Sequence, residues 1–218
     1  MKIKVKSLLI IFLSFCATTF AIKGQVLKPF KNSLGKWGFA NASGEVIIPA
    51  KYNEASDFWE GFARVKLNNK FGFIDKNGNE TIPFLYDEAN IFMNGFATVR
   101  IGQKWAFINT SGKAITSFKY EETASGFSEG LSWVKLNGKY GFIDTIGKEV
   151  IALQYQYADN FRWGMAAVQL NNKSGLVNKA GKIMLPIIYD GIYEIFKDRA
   201  MVRLGNQMFY VDIAAGKD

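Results

Sequence analysis

The chain has 218 residues, 49% hydrophobic and 15% aromatic, which suffices for one sizeable domain or repeat array and excludes a disordered polypeptide. It contains no histidine and one cysteine, which excludes the commonest general base and metal ligand and any intrachain disulfide. The formal net charge is +8, a mild excess that favours acidic partners only weakly and gives no reason to expect nucleic-acid binding.

The N-terminal residues are predicted to form a secretory signal peptide. Three lysines, Lys2, Lys4 and Lys6, precede an apolar run over residues 8–15 and a stretch of small residues. Cleavage after Ala21 assigns residues 1–21 to the signal peptide, and cleavage before Gln25 is the alternative. The apolar run is shorter than the roughly 20 residues of a membrane-spanning helix. We therefore expect an exported protein, periplasmic, cell-surface or secreted, with no transmembrane span after cleavage.

A predicted lead-in strand over residues 22–34 is followed by a sequence repeat of about 34 residues. The units start at Lys36, Lys70, Lys104, Lys139 and Lys173, with a partial sixth unit at Gln207. Each full unit has a tyrosine sixteen residues after its lysine, namely Tyr52, Tyr86, Tyr120, Tyr155 and Tyr189. A valine closes each unit, at Val65, Val99, Val134, Val168 and Val202. This spacing predicts a tandem array over residues 35–212, followed by a tail, 213–218.

Each unit is predicted to fold as short antiparallel strands joined by tight turns. Residues 63–67 alternate apolar and polar side chains, as a half-buried strand does. Asn68-Asn69 follows, and its fourth copy is Asn137-Gly138, a pair that suits a two-residue hairpin. The next strand spans 70–75 and ends in a turn that an Asx residue begins and a glycine completes. A third strand over 80–83 is expected to end at its proline or to lie at the edge of the sheet, because proline cannot donate to the ladder.

The sequence thus predicts an all-β fold, a tandem array of five antiparallel β-meander repeats, either solenoid-like and open or propeller-like and closed. One feature supports closure. The chain ends on a hairpin over residues 201–212, and its first full unit begins at the second strand. The terminal strand would then complete the first sheet.

The shared positions form one pattern, Lys-Trp-Gly-Phe-Ile-Asp-x-x-Gly-Lys-x-x-Ile-Pro-x-x-Tyr followed by Phe-x-x-Gly-x-Ala-x-Val. This pattern, from Gly35 to about Asp212, resembles the WG-repeat (KWG) family of bacterial proteins. The Trp-Gly pair is complete only at Trp37-Gly38. Elsewhere one member is replaced, by Phe71, Ala106, Tyr140 or Ser174. The resemblance implies a β-rich module, often exported and generally taken as an interaction module, without catalytic residues or a settled ligand.

Three tryptophans that do not repeat are the first candidates for a binding surface. Trp59 aligns with Met93, Ser128 and Arg162; Trp163 aligns with Glu60, Asn94 and Glu129; Trp133 aligns with Arg64 and Thr98 on the outward side of its strand. Other units place mostly polar groups there, and an exposed aromatic ring suits stacking on a sugar or anchoring of a peptide. The alternative is packing at an interface or cap.

The second candidate is a basic row on the polar side of the valine strands. It contains Lys66, Arg100, Lys135 and Arg203 and is interrupted by Gln169. Such a row would present a positive face to an anionic partner. The alternative is a solvated row that discourages pairing at strand edges.

Repeated carboxylates argue against an enzyme. Glu54, Glu88 and Glu122 share one register position, and Glu60 and Glu129 share another. A glycosidase needs one particular carboxylate pair at a set separation, whereas repetition suits turns and hydrogen bonds. We expect a non-enzymatic interaction module for a protein or glycan, including an anionic one, that needs no cofactor and no metal. The rival hypotheses are a glycan-active hydrolase with a carboxylate pair and a purely structural spacer.

Overall fold

The computed structural model describes residues 26–213, which form six small antiparallel β-sheets in chain order. The predicted signal peptide and residues 214–218 of the predicted tail lie outside these residues. No helix in the described part of the chain is long and apolar enough to cross a membrane. The predicted all-β tandem array is confirmed.

The sheets are numbered 1 to 6 along the chain, and each is a meander of neighbouring strands. Sheet 1 contains β1 (Lys28–Lys31), β2 (Trp37–Ala40) and β3 (Val46–Tyr52). Sheet 2 contains β4 (Glu54–Ala55), β5 (Ala63–Leu67), β6 (Lys70–Ile74) and β7 (Glu80–Tyr86). Sheet 3 contains β8 (Glu88–Ala89), β9 (Phe96–Ile101) and β10 (Lys104–Asn109).

The second half of the chain continues the series. Sheet 4 contains β11 (Glu122–Thr123), β12 (Leu131–Leu136), β13 (Lys139–Asp144) and β14 (Glu149–Tyr155). Sheet 5 contains β15 (Tyr157–Ala158), β16 (Met165–Leu170), β17 (Lys173–Asn178) and β18 (Ile183–Tyr189). Sheet 6 contains β19 (Gly191–Ile195), β20 (Arg199–Leu204) and β21 (Gln207–Asp212).

Each sequence repeat is divided between two neighbouring sheets. The first unit supplies β2 and β3 to sheet 1 and then β4 and β5 to sheet 2. The crossing is short, because β3 ends at Tyr52 and β4 begins at Glu54. A single unit therefore completes no sheet by itself, and neighbouring units must fold together.

The lead-in strand completes the first sheet, so the predicted closure through the terminal strand is wrong. Phe30 of β1 lies opposite Gly38, just as Val65 of β5 lies opposite Gly72. Strand β1 thus occupies the place of a valine strand in sheet 1. Within the described residues β21 pairs with β20 alone.

Five hydrophobic clusters join the six sheets, one at each interface between consecutive sheets. Four interfaces contain the same pair of aromatic rings, with centroids 4.8 to 5.0 Å apart. The pairs are Phe39–Phe58, Phe73–Phe92, Phe107–Phe127 and Phe142–Phe161. Such pairs add about 0.5–1.5 kcal/mol each beyond the burial of their area. The interior sheets are therefore covered by apolar contacts on both faces.

The glycine of the Trp-Gly pair is required by the close approach of the third strand. A Cβ on Gly141 would lie 2.6 Å from the carbonyl oxygen of Ile151, and similar approaches of 2.6 to 2.7 Å occur at Gly38, Gly72 and Gly175. Ala106 occupies this position in the third unit. The predicted third strand is missing there, and only the isolated bridges Trp105–Tyr120 and Ile108–Ala114 remain. The alanine methyl group excludes the close approach that the other units make.

Candidate functional site

The predicted basic row is largely engaged within the protein. Three members form ion pairs across the strands, Lys66–Glu54 at 2.9 Å, Arg100–Glu88 at 3.3 Å and Lys135–Glu122 at 2.6 Å. The same three lie over aromatic rings, Phe71, Trp105 and Tyr140, at 4.8 to 5.8 Å from the ring centroids. Arg203 faces Gly191 and takes part in no ion pair among residues 26–213. Three of the four charges are thus neutralised, and the row is not a continuous anion-binding face.

The pair formed by Lys135 and Glu122 shows how each basic residue is held. The hydrogen bond from Lys135 keeps the pKa of the Glu122 carboxyl below its ordinary value, against the opposing effect of burial. The Tyr140 hydroxyl donates a second hydrogen bond to Glu122 at 3.0 Å. The contact with Glu122 also raises the pKa of Lys135. Where Gln169 replaces the basic residue, its cross-strand neighbour is Tyr157 instead of a glutamate.

Trp133 is half-buried and packs within the protein, which agrees with the packing alternative more than with an exposed aromatic platform. Its ring lies 5.5 Å from that of Tyr140 and packs against the cluster between sheets 4 and 5. The side of β12 that carries Trp133 points away from sheet 4 and towards the cluster between sheets 4 and 5. Because sheets are stacked on both sides, this side is half-buried.

Trp59 and Trp163 lie in equivalent tight turns that follow the recurrent phenylalanine. Four such turns form what we name the turn row, Trp59-Glu60, Met93-Asn94, Ser128-Glu129 and Arg162-Trp163. The second residue of each turn has a φ between 50° and 55°, and a glycine follows. The turns are therefore alike in backbone, and the first side chain of the turn differs in every copy.

Hydrogen bonds connect the four turns into one continuous surface across sheets 2 to 5. The Glu60 carboxylate accepts from the backbone N–H groups of Asn94 and Gly95 at 2.7 and 2.9 Å. The Glu129 carboxylate accepts from the N–H of Gly164 at 3.0 Å. Two further links are Asn94 Nδ2 to the Phe127 carbonyl at 3.2 Å and Ser128 Oγ to the Phe161 carbonyl at 2.7 Å. The repeated carboxylates at these two positions thus serve the turns, as expected from their repetition.

Cavities surround the fourth turn of this row. Asn160 and Arg162 together line two adjoining cavities of about 300 and 320 Å³. Arg162 and Trp163 both line a third of about 370 Å³. The first cavity also carries Asp159, Tyr193 and Glu194. Polar side chains able to donate and accept hydrogen bonds therefore converge on Arg162.

The largest of these cavities, about 570 Å³, lies beside Trp163 between sheets 5 and 6. Its lining is Trp163, Gly164, Met165, Asn178, Met184, Lys197, Asp198 and Ile213. Trp163 is 61% exposed and has a φ of 55°, a conformation that costs a bulky side chain about 1–2 kcal/mol. Trp59 is similarly exposed, at 54%. Two of the three predicted tryptophans are therefore available to a partner, and Trp163 is the one beside a cavity.

Arg162, Met184 and Ile213 were missed as site residues by the sequence analysis. Arg162 was detectable, because it is a charged residue at the register position that Trp59 occupies in the first unit. Met184 and Ile213 reach the cavity from β18 and from the residue after β21. Their convergence depends on the packing of sheet 6 against sheet 5, which no local pattern contains.

The side chains around the fourth turn can bind a ligand through hydrogen bonds and aromatic contacts. Asp159 accepts a hydrogen bond from the Asn160 N–H at 2.7 Å, and Glu194 accepts one from the Tyr210 hydroxyl at 3.2 Å. Within residues 26–213 no group of three or more histidine, cysteine, aspartate or glutamate side chains is arranged to hold a metal ion. A guanidinium, an indole, amides and two carboxylates lie around cavities large enough for a ligand group.

Comparisons with known proteins agree with the fold. A family described as WG containing repeat matches residues 37–71, 71–105, 105–140, 140–173 and 175–207. No curated protein matches the chain.

Several solved structures are similar at low sequence identity. A eukaryotic initiation factor superposes with a TM-score of 0.53 and 12% identity, over 86% of this chain and 59% of its own. PorZ, a surface component of the type-IX secretion system of Porphyromonas gingivalis, gives 0.37 and 10%, over 87% and 30%. Kluyveromyces lactis Hsv2 gives 0.45 and 10%, over 77% and 64%. The chain spans less than two thirds of each of these structures, and the similarity to the initiation factor shows the fold alone.

Proposed function

The chain belongs to the WG-containing repeat family, and from this premise we propose that it is an exported, non-enzymatic module that binds a protein or glycan partner at the Arg162-Trp163 turn. The positive, apolar and small-residue segments at its N-terminus support export to the periplasm, the cell surface or the medium. No cofactor is needed for this function.

The contrast between a constant core and a variable surface carries the proposal. The tyrosines and valines that recur in every unit, and the aromatic pairs of four units, lie between the sheets. The turn row has the same backbone in each copy, and its fourth turn exposes a guanidinium and an indole beside several cavities. A purely structural spacer would give no reason for a strained, exposed tryptophan at this turn.

The charge around the fourth turn favours partners that carry acidic groups. Arg162 and Lys197 are exposed, and neither takes part in the ion pairs formed within the described residues. These side chains can therefore bind a carboxylate of a partner without first breaking an ion pair within the protein. Mildly anionic proteins or glycans would be preferred, with an affinity that falls as salt is added.

Binding by the chain from residue 22 onward tests this proposal. The protein is applied to a glycan array and, separately, to crosslinking capture from the source cells, beside Trp163→Glu and Ile146→Ser. Glutamate is the residue that this turn position carries in two other units, and Ile146 is 76% exposed in a different turn. We expect a ligand that is lost in Trp163→Glu and retained in Ile146→Ser. The absence of any ligand, or equal binding by all three proteins, would overturn the proposal.

A glycan-active hydrolase has one supporting observation of its own. Asp159 and Glu194 line the same 300 Å³ cavity, and Asp159 does not belong to a repeated carboxylate position. Both accept internal hydrogen bonds, which suits a positioning role as well as catalysis. Release of reducing sugar from a bound glycan, abolished in both Asp159→Asn and Glu194→Gln, would establish the hydrolase. Binding without release supports the non-enzymatic module.

A further inference from the structure

We propose that the cavity beside Trp163 holds a large apolar side chain of a polypeptide, so that a protein rather than a glycan is the partner of the fourth turn. This assignment rests on the proposed function, because it names the ligand class of the same site. The occupant is a segment in which a leucine-sized or aromatic side chain stands next to an acidic group.

The lining of the cavity selects an apolar ligand. The indole of Trp163, the thioether side chains of Met165 and Met184 and the Ile213 side chain form its walls. A sugar in this space would place hydroxyl groups against methyl and thioether groups that cannot hydrogen-bond them, and burying an unpaired hydroxyl is unfavourable. Methionine side chains adapt to irregular apolar shapes, which is why they are frequent at peptide-binding surfaces.

Trp163 stands where the repeat otherwise provides a link between turns. Glu60 and Glu129 occupy the same position and bind backbone N–H groups of the next turn. Trp163 makes no such link among the described residues, and its ring is 61% exposed in a left-handed backbone conformation. The fourth unit thus lacks an internal hydrogen bond and exposes an indole instead. A docked apolar side chain would cover that ring, as in the aromatic anchors that dominate protein interfaces.

The rim of the cavity supplies charge complementarity. Lys197 and Asp198 come from the hairpin of sheet 6, and neither takes part in an ion pair within residues 26–213. The Asp198 carbonyl accepts from the Ile213 N–H at 2.8 Å, which holds Ile213 at the cavity. The Lys197 ammonium can bind a carboxylate beside the apolar side chain, and the Asp198 carboxylate can accept from a peptide N–H. An apolar body with flanking amide and carboxylate groups is the chemistry of a polypeptide.

Methionine-methyl NMR of the chain from residue 22 onward tests the proposal with defined probes. N-acetyl-leucine supplies the apolar side chain and the carboxylate, N-acetyl-leucinamide lacks the charge, N-acetyl-alanine lacks the side chain, and methyl glucoside represents a sugar. We expect N-acetyl-leucine to shift the Met165 and Met184 methyl resonances and to bind at least tenfold more tightly than N-acetyl-alanine. Methyl glucoside should leave both resonances in place at the same concentration.

Variants distinguish the contribution of the cavity walls to binding from that of the rim. Trp163→Glu should weaken the binding of N-acetyl-leucine at least tenfold, and Ile146→Ser should leave its affinity unchanged. The unaltered protein should bind N-acetyl-leucine more tightly than N-acetyl-leucinamide, and Lys197→Gln should remove this preference. Unchanged methyl resonances with N-acetyl-leucine, equal shifts with methyl glucoside, or full affinity in Trp163→Glu would each overturn the proposal. If a captured partner depends on Trp163 while N-acetyl-leucine does not bind, the proposed function stands and this assignment fails.

Discussion

The residues that define the repeat act mainly in folding. The glycine of the Trp-Gly pair lies under a carbonyl oxygen of the third strand at a distance that leaves no space for a Cβ. The first residue of the pair varies from tryptophan to serine and stands opposite the recurrent tyrosine, as at Trp37–Tyr52. The glycine of the pair is therefore a packing requirement in four of the five units.

Replacing this glycine should break one strand pairing. Gly141→Ala places a methyl group 2.6 Å from the Ile151 carbonyl, and we expect a loss of about 1–3 kcal/mol in the free energy of unfolding. Amide protons of β14 should exchange faster as their pairing with β13 weakens. The reciprocal control is Ala106→Gly, at a position without a third strand, where the cost should stay within about 1 kcal/mol. Equal losses in the two variants would contradict the account.

The ion pair of Glu122 and Lys135 makes a pH-dependent contribution at the residue scale. Because the pKa of Glu122 is lowered in the folded protein from its ordinary value of 4.5, its ionised form stabilises the fold above that pH. The contribution is lost as the pH falls through the lower, folded-state pKa. Glu122→Gln should cost less than about 1 kcal/mol at pH 7, since the pair is partly exposed.

Denaturation of both proteins from pH 7 to pH 2 measures the difference. The two stabilities should converge as the pH falls below 4.5. Glu149→Gln, at an exposed position that begins β14, provides the matched control. A stability difference that grows towards low pH would be the wrong sign for a carboxylate with a lowered pKa.

At the scale of the strand and turn, the turns could be predicted from the sequence, whereas the stacking of the sheets could not. The hairpin after residue 67 and the Asx turn before Gly78 follow from short-range preferences, and both are present. The sequence does not show that each repeat is shared between two sheets, because a repeat has the same period wherever its start is placed. The sequence left two alternatives for Trp133, exposure and packing, for a related reason. Alternation assigns a side chain to one face of a strand, and stacked sheets cover both faces.

The links between successive turns provide a test at this scale. Glu60→Asn keeps a residue that tolerates the left-handed backbone and shortens the side chain, so that the two hydrogen bonds to Asn94 and Gly95 are lost. We expect the Gly95 amide to exchange faster, with a fall of about 1 kcal/mol in the free energy of unfolding. The Gly164 amide, bound by Glu129, should be unchanged and serves as the internal control. Unaltered exchange at Gly95 would show that the link is not formed in solution.

At the scale of the whole molecule, the buried core residues and the exposed residues of the turn row occupy different positions of the same repeat. Five apolar clusters join the six sheets, each to the next along the chain. The strands of each full unit cross from one sheet to the next. This arrangement depends on the shared residues and leaves the turn row free to differ between copies. Of the candidate residues found in the sequence, the buried or paired ones belong to the stack, and Trp163 belongs to the surface.

The free energy of unfolding of Trp163→Glu and Trp133→Ala, measured side by side, tests this division most directly. Trp133 is half-buried between sheets 4 and 5, so its truncation should cost about 2 kcal/mol or more. Trp163 is 61% exposed, and its replacement by the residue found at two equivalent turns should change stability by no more than about 0.5 kcal/mol. A large loss in Trp163→Glu, or a negligible one in Trp133→Ala, would contradict the separation of folding residues from recognition residues.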